Sequence, residues 1–317
     1  MPSSGGAERS QVFRRGNLEF APMPRVAIAT CRVKPEPDPD EELLLEALRA
    51  RGLAPALLAW DDPAAEPPEA FDLIVLRSTW NYPEDPDAFA AWCARADAAT
   101  RLRNPLRALR WNLHKRYLLA LQARGVPVVP TALLARGADA DLCAVAAERG
   151  WDDVVVKPAS GAASFATRRF RLRYPGDAAA GRAFLAGLLR ARDAMLQPFL
   201  REVEETGERA QVWIAGAHTH CVRKEPRFAG QDERVSAALA PDGEERAFVE
   251  RALAALPRDV RRDLLYARAD LIRLGSGALV LGELELLEPS LFLAQHPPAL
   301  ALLAAAIASA AGAAASQ

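Results

Sequence analysis

Apolar and polar positions follow two regimes along the chain. Up to about residue 200, short continuous apolar runs alternate with longer stretches of helical spacing; beyond 209, apolar runs come in pairs joined by glycine turns. Fully apolar runs between helices predict buried strands of a parallel layer, and paired runs predict antiparallel hairpins. The first regime gives a strand at 25–30, a helix from an Asp40 N-cap to residue 51 stopped by Gly52, strands at 53–60 and 72–77, and a helix at 86–96. Asn104-Pro105 marks a closing turn. A helix at 115–124 ending at Gly125, a strand at 126–130 and a helix at 139–149 follow. Next come strands at 154–157 and 167–173, a helix at 178–192 and a strand at 195–199. The second regime gives a hairpin about Gly216, a helix at 244–256, and a hairpin of 264–274 with 278–287 about Gly275-Ser276-Gly277. Residues 1–24, rich in Ser, Gly and Pro, read as a disordered tail, and the Ala-rich 294–315 as a terminal helix. The expected fold is therefore α/β, passing into α+β. A parallel region at 25–107 precedes segments at 108–200 and 201–317.

Composition narrows the function by exclusion. The net charge of −1 argues against a general nucleic-acid or membrane-surface binder, so any anionic ligand must be held by a few placed cations. Four scattered cysteines, Cys31, Cys93, Cys143 and Cys221, have neither metal-ligand nor disulfide-framework spacing and suit a reduced cytoplasmic protein. Arg14-Arg15 is not followed by an apolar run, which argues against an export signal.

The strongest chemical signal is Asp270 with Glu283 and Glu285. A tight two-residue loop would place Asp270 opposite Leu281 or Glu283, with all three acids and Arg268 on one sheet face. Converging carboxylates repel unless a cation sits among them, and hard divalent ions take such oxygen ligands. Lys157 ends a buried valine run and is followed by the small-residue segment 158–164, whose backbone could cradle phosphate. Lys115 opens a helix. There is no GxxxxGK[ST] motif. The strand at 195–199 runs into acids that include Glu202 and Glu205. His218 and His220, on a strand, would share a face as a metal pair does, but no third ligand is near. Trp80, at a strand end, is a candidate pocket wall.

In order, these residues resemble the ATP-grasp superfamily, glutathione-synthetase-like branch: Lys115, Lys157-Pro158 with its loop, Gln197-Pro198-Phe199, Gly207-Glu208, Arg268 with Asp270, and Glu283 with Glu285. Residues 77–82, 104–105, 110–117 and 282–292 resemble a subgroup that includes a cyclase of cycloserine biosynthesis. The likeness runs from about 25 to 293. It implies two α+β subdomains that clasp ATP, with Lys115 and Lys157 on the phosphates. The loop bearing Ser160, Gly161 and Ser164 would close over them. Gln197, Pro198, Phe199 and Leu200 would meet adenine, and Glu202 or Glu205 the ribose. Asp270, Glu283 and Glu285 would hold two Mg2+ ions, with Mn2+ an alternative; Glu285 stands where relatives often have Asn. Arg268, Lys224 and Arg234 would meet the transferred phosphoryl group or substrate, although Glu225 departs from a commonly basic position.

The implied activity is ADP-forming ligation. A carboxylate or similar oxygen acid is activated as an acyl phosphate and attacked by an amine or other nucleophile on a small amino-acid-like metabolite, an intramolecular cyclisation included. A peptide- or protein-modifying ligase and a non-catalytic nucleotide-binding module stand as alternatives. Small-molecule carboxylate and amine partners, no nucleic acid, no membrane and a homodimer complete the expectation.

Overall fold

A computed structural model describes residues 22–226 and 233–312. The expected N-terminal tail lies, up to residue 21, outside the described residues. Twelve strands form three four-stranded sheets. The first holds β1 (Arg25–Thr30), β2 (Ala54–Ala59), β3 (Leu73–Leu76) and β4 (Arg101–Arg103), all parallel in the order β2-β1-β3-β4. Helices α1 (Glu41–Arg49) and α2 (Pro86–Ala99) cross between its strands. Two-sided cover explains why Val26 to Ala29 and Leu73 to Leu76 are buried without alternation. Strand β4 lies where only a turn was expected, because a three-residue strand reading Arg-Leu-Arg carries too few apolar positions to register. Asp40 occupies the α1 N-cap position but makes no cap bond; its carboxylate accepts from the Ala294 amide and faces Arg77.

Helices α3 (Leu106–Asn112) and α4 (Tyr117–Gln122) lead into the second sheet, formed by β5 (Ala132–Leu134), β6 (Asp153–Pro158), β7 (Arg168–Arg171) and β8 (Ala194–Pro198), with α5 (Leu142–Ala147) and α6 (Pro175–Ala191) against it. Its order is β5-β8-β6-β7, antiparallel throughout. A short α7 (Glu202–Glu205) precedes the third sheet, made of β9 (Glu208–Ile214), β10 (Ala217–Lys224), β11 (Tyr266–Arg273) and β12 (Leu279–Glu285) in the order β10-β9-β11-β12. Helices α8 (Gly243–Ala254), α9 (Arg258–Arg261) and α10 (Pro297–Ala311) complete the chain.

The expected strand at 126–130 is instead an extended segment bonded to Leu281, through Val129 N (2.9 Å) and Pro127 O (2.9 Å). It belongs to a larger device. Strand β12 is an edge strand, and an unpaired edge must be satisfied or covered. Asn112 donates to Leu284 O and accepts from Leu286 N, while Asn104 donates to Tyr266 O and Leu286 O. Residues 108–128 therefore pack on the third sheet, with Tyr117, Leu118 and Leu121 joining Leu281, Leu284 and Phe248 in one core. The other face of that sheet packs with α10, α1 and the first sheet. Among the described residues no helix is long and apolar enough to cross a membrane.

Candidate active site

The site stands on the β11–β12 hairpin, and a bulge makes it. Near the turn, Leu271 pairs Leu281, Arg273 pairs Leu279 and Leu274 N bonds Ala278 O at 2.9 Å, so the connection has three residues and Gly277 takes φ +87°. Continued unchanged, that register would set Asp270 against Gly282 and turn Glu283 to the other face. Instead Asp270 pairs Glu283 and Arg268 pairs Glu285, with Gly282 as the extra residue. A side chain at Gly282 would stand 3.4 Å from Asp270 O, so the bulge brings the two backbones close where glycine fits. The expected common face is present. It arises from a three-residue loop plus a bulge, not from a two-residue loop.

Four cations meet these acids. Lys157, on β6 of the second sheet, reaches Glu283 Oε1 at 2.7 Å, and Lys115 reaches Glu283 Oε2 at 2.9 Å. Lys115 comes from the link between α3 and α4, fixed by its amide on Ala159 O (2.7 Å) and by neighbouring His114 on Asp193 (3.0 Å). Lys224, at the end of β10, reaches Asp270 Oδ2 at 2.8 Å. Arg268 bonds both Asp270 oxygens, at 2.9 and 3.0 Å, and Glu285 Oε1 at 2.5 Å. Burial opposes charge on Lys115, Lys224, Arg268, Asp270, Glu283 and Glu285, and the pairing decides the outcome. Lys115, Lys224 and Arg268 are held above their ordinary pKa by Glu283, Asp270, and Asp270 with Glu285 respectively. Asp270 and Glu283 are held below theirs by the same partners. Glu285 goes the other way: burial, with Asp270 and Glu283 near it, outweighs Arg268 and raises it.

The acids are hard oxygen donors on adjacent positions, which suits Mg2+ in chemistry. Among the described residues, however, no group of three or more His, Cys, Asp or Glu side chains is arranged to hold a metal. The basic side chains occupy the carboxylate oxygens, as the ion pairs above show.

One pocket joins this wall to the second sheet and to the carboxyl ends of the first. Val155 and Lys157 face it together, two apart on β6. The β8 exit supplies Gln197, Pro198, Phe199 and Leu200. The segment after β6 adds Gly161 to Phe165, in which Ala163 and Ser164 have φ +46° and +56°. Trp80 and Tyr82, beyond the end of β3, also line the pocket.

Residues 26–104 match the family model described as D-cycloserine synthetase DcsG, N-terminal domain. The cycloserine biosynthesis protein DcsG of Streptomyces lavendulae is 33% identical over 289 residues, spanning 84% of this chain and 92% of that protein. The chain belongs to the DcsG family of ATP-grasp ligases. The crystal structure of D-cycloserine synthetase DcsG superposes with a TM-score of 0.81 at 32% identity, covering 90% of this chain and 99% of that one. The ATP-grasp ligase PsnB complexed with minimal precursor, Mg and ADP superposes with a TM-score of 0.58 at 18% identity, covering 90% and 98%.

Within this ATP-grasp fold, most of the sequence-derived candidates meet at the pocket, and four do not. Glu202 turns away and accepts from the Gly275 amide at 2.9 Å; Glu205 is exposed. Both sit on α7, an element too short to be read as a helix, which presents Val203 to the pocket instead. Ser160 also lies off the lining. Arg234 is exposed, because Glu225 N bonds Arg234 O and period-two alternation turns its neighbour Glu233 inward. Glu208 and Glu233 line the pocket and were missed as site residues, whereas Glu288, also on the lining, was left open by the sequence as a metal or substrate ligand. For Glu208 the Gly207-Glu208 motif was the available signal. His218 and His220 do not share a face: an extra residue at Thr219 sets His218 opposite Trp213 and His220 opposite Val212.

Proposed function

We propose that this ATP-grasp ligase phosphorylates a carboxylate or similar oxygen acid of a small amino-acid-like metabolite at the expense of ATP, then joins the activated carbonyl to an amine or related nucleophile. The carrying observation is that Lys115 and Lys157, from separate parts of the fold, converge on one carboxylate, Glu283, inside a pocket floored by Asp270, Glu285 and Arg268. These lysines are pre-positioned and held by an exchangeable anion. Phosphate oxygens can replace Glu283 as their partner, which frees that acid.

Asp270, Glu283 and Glu285 would then hold Mg2+, since Glu283 faces Asp270 and lies two residues from Glu285. The bound metal would neutralise phosphate charge during transfer. Lys115 and Lys157 orient the phosphates. Gln197 to Leu200, beside Val155 and Val203, offer an apolar slot and backbone groups for the base. Arg268 and Lys224 face the transferred group, stabilising charge as the substrate oxygen bonds phosphorus and the bridge to ADP breaks. The nucleophile then attacks the acyl carbon and phosphate leaves. Kinship to a cycloserine biosynthesis protein supports a small-metabolite substrate and an intramolecular ring closure as the joining step.

Calorimetric titration of ATP with Mg2+ tests the reading. Binding that requires Mg2+ and disappears in Glu283→Ala and in Lys157→Ala, with both variants folded, is expected. A folded natural chain that ignores ATP overturns it.

A further inference from the structure

Asp270, Glu283 and Glu285 each pair with a cation, and among the described residues Glu288 beside them does not. Glu288 is 5% exposed and lines the pocket. Its carboxyl accepts from its own backbone N–H, and among the described residues no basic side chain forms an ion pair with it. The backbone around it is fixed on all sides. Trp80 Nε1 donates to Glu288 O at 2.9 Å, and Arg77 Nη1 to Pro289 O at 2.6 Å. The Tyr266 hydroxyl lies 3.0 Å from Leu287 O, and Arg268 reaches Ser290 O at 3.3 Å. Groups from the first and third sheets thus hold this segment in place, while among the described residues its one ionisable side chain has no cationic partner.

Burying a carboxyl that stabilises nothing around it is unfavourable, and a neutral or apolar residue would serve the fold better. Burial, and then the charge of Glu285, push its pKa up to about 8. Lys115 and Arg268 act on it from across the pocket, but Glu283, Asp270 and Glu285 already engage them. Trp80, whose Nε1 bonds the Glu288 carbonyl, and Tyr82 share the lining with it, and aromatic rings attract cations. A hard divalent ion would want further oxygen ligands here, whereas an ammonium needs one strong acceptor and aromatic walls.

We propose that Glu288 is the specificity residue that receives the primary ammonium group of an amino-acid-like substrate, between Trp80 and Tyr82. This rests on the ligase reading above. It places the amine end of the substrate beside the first sheet and leaves its acid end toward Arg268 and the phosphate-binding lysines.

The test uses the full chain loaded with ADP and Mg2+, and D-cycloserine, a primary amine, as the calorimetric probe. The natural chain should bind D-cycloserine and reject its N-acetyl derivative. Glu288→Gln should weaken D-cycloserine binding at least tenfold while leaving ADP and Mg2+ affinity within twofold. Equal binding by Glu288→Gln, equal binding of the acetylated probe, or no uptake of D-cycloserine by the ADP-loaded natural chain overturns the assignment. Failure of ADP and Mg2+ themselves to bind is a different result, which removes the ligase reading beneath it.

Discussion

The third sheet contains two hairpins, each with one bulge, and the two bulges do opposite things. In β11–β12 the extra residue, Gly282, restores a shared face to Asp270, Glu283 and Glu285, and that face meets Lys115, Lys157, Lys224 and Arg268. In β9–β10 the extra residue, Thr219, separates His218 from His220. His218 bonds Gln211 at 3.0 Å on one side, while His220 stacks on His296 with ring centroids 4.7 Å apart on the other. Two pairs of polar residues with the same spacing in sequence thus become a charged wall in one hairpin and two separate buried rings in the other. Spacing of two residues implies a common face only where the ladder is regular.

The largest effects should fall on the charged wall. Glu283→Ala or Lys157→Ala should lower turnover at least about a hundredfold, the range seen when one preorganised charge partner is removed from a transition state. Steady-state kinetics on folded variants checks this, and turnover within a few-fold of the natural chain would separate the wall from the chemistry.

The other hairpin should show itself in stability, not activity. His220 is 1% exposed and its pKa is lowered to about 4 by burial, with His296 adding to the effect. In the unfolded chain it titrates near 6.5, so on acidification the unfolded state takes up its proton first. Stability is therefore complete above pH 6.5 and falls as pH drops toward 4, by at most about 3 kcal/mol from this group. His218, lowered to about 4 by burial, adds in the same direction. Denaturant unfolding of the natural chain and of His220→Phe across that range should show the natural chain losing more stability than the variant as pH falls; parallel curves would contradict the buried, neutral histidine.

Gly282→Val tests the bulge directly. The branched side chain meets Asp270 O and the Ile272 side chain, so a stability loss of about 1–3 kcal/mol is expected, with weaker Mg2+-dependent ATP binding. The matched change in the other hairpin, Thr219→Ala, removes the hydroxyl bonds to Val212 O (3.1 Å) and His220 Nδ1 (2.9 Å). It should cost about 1 kcal/mol and leave ATP affinity unchanged. If the two substitutions perturb ATP binding equally, the contrast between the hairpins is lost.

These two hairpins also mark how far the sequence can be read. Continuous apolar runs identified β1, β3, β6 and β8, and Gly216 with Gly275-Ser276-Gly277 located both antiparallel pairs, because burial and turn chemistry are local properties. Lys157, Asp270 and Glu283 were legible for a similar reason: a charge at the end of, or within, an apolar strand is conspicuous. Lys115, just before a helix, was legible from its place in the ATP-grasp order of motifs. Bulges are not, since they depend on the partner strand. The short β4, α3 and α7 carry too little pattern to stand out, and a strand-then-acids reading could not show that α7 turns Glu202 to the Gly275 amide. The extended segment beside Leu281 looks like a strand because it is half of one, bonded to an edge that only the folded sheet creates. Glu288 was visible in sequence as an acid before a proline, but its lack of a partner is a property of three dimensions.

A crystal structure of the chain with Mg2+ and a non-hydrolysable ATP analogue tests the central claim most directly. The account predicts that the 2.7 Å Lys157–Glu283 pair is broken, with Lys157 on a phosphate oxygen and Glu283 on the metal. A bound nucleotide with that pair intact, and the metal held elsewhere, would contradict it.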